Sequence, residues 1–194
     1  ILCAVGGSAA AEHLVVLHCN DTHGHLFSVD GSTELGSNGG AARMATLVRQ
    51  AREENPGQVL LLHAGDLLSR GDRLTTATGG RAVFDVLDAV GFDVVVPGNG
   101  DFYDGVEHLL SLERSSKPKF VLANITYKRW TRELFAPHTI VERGGVRVGV
   151  LGLGFIHEDH SSSKPLALEE PITAARRVVP ELRPKVDVLI ALTH

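Results

Sequence analysis

The sequence predicts an α/β fold built on strands that are buried on both faces. Two observations carry this. The runs VLLL at 59–62, VVV at 94–96 and VLIAL at 188–192 are continuously apolar rather than alternating, as strands covered on both sides must be. Segments with helical spacing separate them, the order that layers helices against a sheet. A third feature adds antiparallel structure: two β-rich runs flank Gly144-Gly145, a hairpin signal.

The elements follow in order. LVVLHC (14–19) predicts a strand. Residues 39–55 predict an amphipathic helix with Ala42, Met44, Leu47 and Val48 near one face, stopped by Asn55-Pro56-Gly57. A strand follows over 58–65, then a helix over 81–91 closed by Gly91. A strand over 93–98, a helix over 106–115 and a strand over 119–125 come next. The hairpin occupies 137–153. A helix over 172–183 starts after Glu169-Glu170 and is expected to end or kink at Pro180, which lacks an N–H. The last strand spans 186–194.

The chain of 194 residues suffices for one domain with a sizeable core. Its net charge of −4 is scattered, which argues against a nucleic-acid partner. No apolar stretch reaches the ~18 residues of a membrane span. Residues 1–12 resemble the end of a secretory signal peptide with cleavage near Ala11, so the protein is expected to be exported, periplasmic or extracellular. Residues 13–194 then form the folded part, expected to be a partial domain, because a buried strand that stops at His194 should lead on into a covering helix. Two cysteines, Cys3 and Cys19, make no disulfide framework. Cys3 is expected to leave with the leader and Cys19 to be a buried filler.

Polar residues collect where strands end. The first strand runs into Asn20-Asp21-Thr22-His23-Gly24-His25, the second into Gly65-Asp66, the third into Gly98-Asn99-Gly100-Asp101 and the last into Thr193-His194. Sites in open α/β sheets form beyond the carboxyl ends of strands. Asp21, His23, Asp66, Asn99 and His194 are therefore expected at one edge of one sheet. Carboxylate, imidazole and amide oxygen suit two divalent ions such as Mn, Zn, Fe or Ni. Asp66 is placed to bridge them, and two such ions about 4 Å apart can generate a hydroxide and clamp the oxygens of an in-line displacement. Each motif alone reads equally as a turn or a helix cap; the set in this order points to metal.

Other polar residues read as structural. His18 and His63 lie in strands and are expected to be satisfied there; His13, His108 and His138 show no pattern. His157 and His160 read as a polar loop rather than a surface metal pair. Gly149, Gly152 and Gly154 miss the dinucleotide spacing and read as a strand-end turn. Asn124-Ile125-Thr126 matches a glycosylation sequon.

The stretches LHCNDTHGHL (17–26), GGAARMATLV (39–48), LLHAGDLLSRGD (61–72), VVPGNGDFYDG (95–105), VLANI (121–125) and LIALTH (189–194) resemble the metallophosphoesterase superfamily. Within it they are similar to the N-terminal domain of the 5′-nucleotidase family. The resemblance implies a four-layer α/β/β/α sandwich. It puts Asp21 and His23 on a first metal, Asp66 between the metals, and Asn99 and His194 on a second. It implies phosphoester hydrolysis, as in 5′-nucleotidases and 2′,3′-cyclic phosphodiesterases, of a small-molecule phosphoester such as a nucleotide.

The sequence departs from that family twice. The family continues Gly-Asn with His-Glu-Phe-Asp, whose His interacts with the phosphate and assists the reaction. Here that position is Gly100, and the orienting Asp is Tyr103, with Asp104 one residue late. Positioned acid–base groups contribute roughly 10²–10⁴-fold. His25, Asp101 and Tyr103 are the candidate substitutes, and a histidine restored at 100 is expected to raise the rate. The family's later His-x-His metal ligands and its C-terminal nucleoside-binding domain also lie outside these residues. Two alternatives stand beside phosphoester hydrolysis: the same cage with another substrate, as in thiosulfohydrolases of sulfur oxidation, and a relative that binds without turnover.

Overall fold

The computed structural model describes residues 13–28, 39–129 and 132–194. The predicted leader, with Cys3 and the cleavage point near Ala11, lies outside them.

The chain begins with β1 (Val15–Cys19), α1 (Ala41–Glu54), β2 (Val59–Ala64), the short α2 (Arg73–Ala77), α3 (Arg81–Val90), β3 (Val94–Val96), α4 (Val106–Glu113) and β4 (Lys119–Phe120). These strands form a parallel sheet in the order β1-β2-β3-β4. Then come β5 (Ile125–Tyr127), β6 (Arg132–Glu133), β7 (His138–Arg143), β8 (Val146–Leu153), β9 (Leu166–Leu168), α5 (Pro171–Leu182) and β10 (Val188–Thr193). A second sheet has the order β10-β8-β7, and β6-β5-β9 make a small third one.

Four layers result, as the resemblance implies. Helices α1, α3 and α4 cover the first sheet through Val48, Phe84, Leu87 and Leu109. The second sheet packs on the other face, with Val148 and Val150 of β8 in the same core. The opposite face of β8, Leu151 and Leu153, receives Ala174 and Val178 of α5. Two glycines make β8 thin enough for this. A Cβ at Gly149 would meet Leu182 of α5 at 3.1 Å, and one at Gly152 would lie 2.2 Å from the Val121 carbonyl oxygen. These glycines serve close approach inside a strand, not the turn expected of them. At the amino end of the strands, Arg143 pairs with Asp93 and donates to the Val59 carbonyl at 3.1 Å. That tie fixes how the sheets face each other.

Several elements match expectation in mechanism as well as place. Gly91 ends α3 in the left-handed region at φ 80°, and Gly144 and Gly145 turn the hairpin at φ 56° and 80°. Glu170 caps α5 by accepting from Thr173 N at 2.7 Å.

Others are corrected. In α1, Met44, Ala45 and Val48 pack on the core, while Ala42 is exposed and Leu47 is 65% exposed. The predicted strand 119–125 splits. Val121 still bonds the Val95 carbonyl, but Ala123 N bonds Gly152 of β8 and Ile125 opens the third sheet. The crossing point is Asn124, whose buried amide needs partners and finds the backbone of Gly154 on both sides, at 2.8 Å each. That burial also removes the sequon from the surface. Pro180 does not end α5, which runs on to Leu182; Arg176, four residues earlier, is exposed, so water can satisfy its carbonyl. Finally, among the described residues β10 pairs on one side only, with β8, and Val188 is 37% exposed.

Candidate metal centre

The first three strands of the parallel sheet deliver Asp21, His23, Asp66 and Asn99 as expected. His194 arrives differently. It follows β10, so it belongs to the second sheet and not to the sheet of Asp21 and Asp66. The site is therefore a seam between two sheets rather than the edge of one.

The turns are bent toward a common point. Asp21, His23 and Asp66 all have left-handed backbone, at φ 53°, 47° and 55°. Each costs about 1–3 kcal/mol and persists only where surroundings enforce it. The enforcement is a ladder between the two turns: Asp21 N to Gly65 O at 2.9 Å, His23 N to Asp66 O at 2.9 Å and Gly24 N to Leu67 O at 2.6 Å. Asp72 anchors the far side, accepting from Leu26 N at 2.9 Å while capping α2.

Ligand atoms of Asp21, Asp66 and His194 all lie within 4.8 Å of one another. His23 Nε2 is 3.5 Å from Asp21 Oδ1 and 3.6 Å from Asp66 Oδ2. His194 Nε2 is 3.5 Å from Asp66 Oδ1. Asp66 thus lies between two imidazoles, and it is only 5% exposed. Its Oδ1 also accepts from Gly100 N at 2.7 Å.

The imidazoles are presented as ligands. His194 Nδ1 is 2.6 Å from the Ala64 carbonyl oxygen, which can only accept. Nδ1 therefore carries the hydrogen and Nε2 keeps its lone pair toward Asp66. His23 Nδ1 is 3.0 Å from Ser69 Oγ, which again leaves Nε2 for the cluster. A hydrogen bond on the remote ring nitrogen is how proteins fix metal-binding histidines. Glycine clears the floor: a Cβ at Gly65 would meet His194 at 2.6 Å, and one at Gly98 would meet Asp66 Oδ1 at 2.2 Å. The donor set and its geometry fit divalent cations.

The proposed substitutes for the missing histidine separate. Asp101 is 1% exposed, and its carboxylate accepts from Leu68 N and Gly98 N at 2.8 Å each. Burial pushes it up to about 6 against those two bonds. It braces the turn. His25 is exposed and lines a cavity beside Cys19 and Met44, under α1. Tyr103 instead meets Asn99, its hydroxyl accepting from Asn99 Nδ2 at 3.0 Å. His157 and His160, read as plain loop, stack on Tyr103 with ring centroids 6.4 and 4.5 Å away.

Sequence reasoning missed two supports. Ser69 has φ 66° and Arg70 φ 75°, a left-handed pair without glycine that no residue pattern marks. His63 was expected to be satisfied in its strand. Its Nε2 is 3.1 Å from Thr22 Oγ1, between Asp21 and His23 in sequence, but its buried Nδ1 has no partner among the described residues. Burial, then the nearby His194, pull its pKa down to about 4, with Asp21 opposing.

The fold has known counterparts. The profile of the calcineurin-like phosphoesterases matches residues 14–194. The chain belongs to that family. Among calcineurin-like phosphoesterases, it is 32% identical over 93% of its length to a probable 5′-nucleotidase of Treponema pallidum, covering 32% of that protein. It is 35% identical over 96% of its length to the 5′-nucleotidase of Mus musculus, covering 34% of it. A 5′-nucleotidase precursor from Thermus thermophilus superposes with a TM-score of 0.81 at 29% identity, over 93% of this chain and 37% of that one. The chain thus spans about a third of the length of these relatives.

Proposed function

We propose that the protein hydrolyses small-molecule phosphoesters, nucleotides foremost, at a pair of divalent ions held by Asp21, His23, Asp66, Asn99 and His194. The observation that carries this is Asp66 set between two imidazoles, each with its Nε2 turned inward and its Nδ1 engaged elsewhere. The relatives named 5′-nucleotidase support the substrate class. Bound there, divalent ions supply Lewis acidity and an activated water at neutral pH.

The chain's own residues do the rest. Asp66 shares its two oxygens between the halves of the site. Ser69 and Ala64 hold the imidazoles in one orientation, so nothing must reorganise during reaction. Arg70, exposed and directly after Ser69 in the chain, is a cation suited to an anionic ester. At position 100 the site offers no side chain to protonate a leaving group, so aryl esters should turn over faster than nucleotides, whose alkoxide leaving group must take its proton from another donor. The apolar, small-residue run at 1–11 supports export of the protein.

The test is turnover by the full-length protein with Mn²⁺ on an aryl phosphate, AMP and glycerol phosphate. Hydrolysis of the first two, with the aryl ester fastest, is expected. Gly100 favours one second reading, the same cage acting on another ester; bound metal with no phosphatase activity on any of the three would select it. Neither metal nor turnover would select a binding protein.

A further inference from the structure

Asn99 reaches a cation through one atom only. A carboxamide has a single acceptor oxygen and two donor hydrogens, so it ligates in one of its two flips and repels the ion in the other. A partner that accepts from Nδ2 leaves Oδ1 as the free ligand atom. That partner is the Tyr103 hydroxyl, 3.0 Å from Nδ2 and four residues on.

Tyr103 is itself held. Its backbone N–H bonds the Gly100 carbonyl at 3.2 Å, ending the 3₁₀ turn Asn99–Phe102. Its ring lies on His160, with centroids 4.5 Å apart and planes 29° apart. His160 is fixed in turn, because its Nδ1 accepts from Ser162 N at 3.3 Å and meets Ser162 Oγ at 2.7 Å. The loop carrying His160 is pinned on both sides by Ile156, 1% exposed, and Ser163, 2% exposed. A chain of contacts thus runs from the loop after β8 to the amide of Asn99.

We propose that Tyr103 is a positioning residue: buttressed by His160, it holds the Asn99 side chain through Nδ2 and leaves Oδ1 as the atom free to ligate. This rests on the reading of Asn99 as a ligand. It gives the residue at the Asp position of the family motif a task in a site without the histidine which that Asp orients. A carboxylate at 99 would depend on this contact less, since either of its oxygens can ligate.

The experiment is a Mn²⁺ titration of the full chain against a chelating dye, with metal content measured in parallel. Tyr103→Phe keeps the ring and the stack. It is expected to weaken one of two ions about 10–100-fold, the usual cost of losing a support behind a ligand, with the other ion unchanged. His160→Ala should weaken the same ion less. In an Asn99→Asp background, Tyr103→Phe should cost clearly less, a coupling that a merely structural tyrosine would not show. Melting in EDTA separates misfolding from loss of this contact: Tyr103→Phe should melt as the parent does. Two ions held by Tyr103→Phe at parental affinity, or an equal loss in the Asn99→Asp background, would overturn the proposal. A parent chain that holds no ion would overturn the ligand reading and the positioning role together.

Discussion

Nδ1 of His194 lies 2.6 Å from the carbonyl oxygen of Ala64, 130 positions earlier in the chain. The bond joins the second sheet to the first at the atom that sets the imidazole's tautomer. Assembly of the two sheets and orientation of this imidazole are one event. The same economy recurs at His23, where Ser69 Oγ occupies Nδ1 at 3.0 Å.

Ser69→Ala tests that second support. The serine hydroxyl is a small group, so its loss should barely change folding. Metal affinity should fall about 10–100-fold as His23 loses its orientation. Calorimetric titration with Mn²⁺ on the full chain checks this; parental affinity would contradict it.

Gly100→His was expected from sequence to raise the rate. The structure revises that expectation, because a Cβ at Gly100 would lie 2.7 Å from Ser69 Oγ and 3.0 Å from Asp66 Oδ1. The substitution should slow the enzyme by displacing the groups it ought to assist. Combined with Ser69→Gly and assayed at saturating Mn²⁺, it should recover rate on alkyl phosphates, whose leaving groups need a proton, more than on aryl phosphates. Steady-state rates on both esters decide; a gain from Gly100→His alone would show that Ser69 gives way freely.

His63 carries a pH dependence. Its pKa is lowered from 6.5 to about 4, first by burial. The unfolded chain therefore takes up this proton first as pH falls. The stability His63 lends is complete above pH 6.5 and is lost as pH falls toward about 4. His63→Leu deletes that component, so the variant should gain on the parent across this window. Asp101, raised to about 6, acts with the opposite sign but is common to both proteins. Urea unfolding in EDTA at several pH values measures the difference; parallel curves would refute it.

Gly152→Ala tests the sheet-to-sheet approach. Its Cβ would stand 2.2 Å from the Val121 carbonyl oxygen, and backbone cannot rotate aside as a side chain can. Destabilisation of about 1–3 kcal/mol or more is expected from such overpacking, read as a lowered melting temperature. An unchanged melt would mean that β8 and the 121–123 segment separate easily.

Much of this was legible in the sequence, for identifiable reasons. Continuous apolar runs fixed β2 and β3, since only a doubly covered strand tolerates them. Gly91, Gly144-Gly145 and Glu170 declared their turns and caps chemically. Asp21, Asp66 and Asn99 stood at strand ends, where sequence order suffices to place them. His194 also stood at a strand end, but which sheet that strand joins depends on pairing partners far away, and periodicity says nothing about those. KFVLANI read as one strand because apolar character alone cannot show a chain leaving one sheet for another; the buried Asn124 was the signal. Ser69, Thr22 and His63 act through contacts between residues 41 and 46 positions apart, and no local pattern announces such pairs.

The central claim is that Asp66 sits between two cations. The most direct measurement is the metal content of the purified full-length protein after reconstitution with Mn²⁺, beside the Asp66→Asn variant. The account predicts close to two ions per chain in the parent and a loss of tight binding in the variant, with turnover falling about 10²-fold or more, beyond the cost of losing an outer support. A parent that retains no stoichiometric ion, or a variant that keeps both, would contradict it.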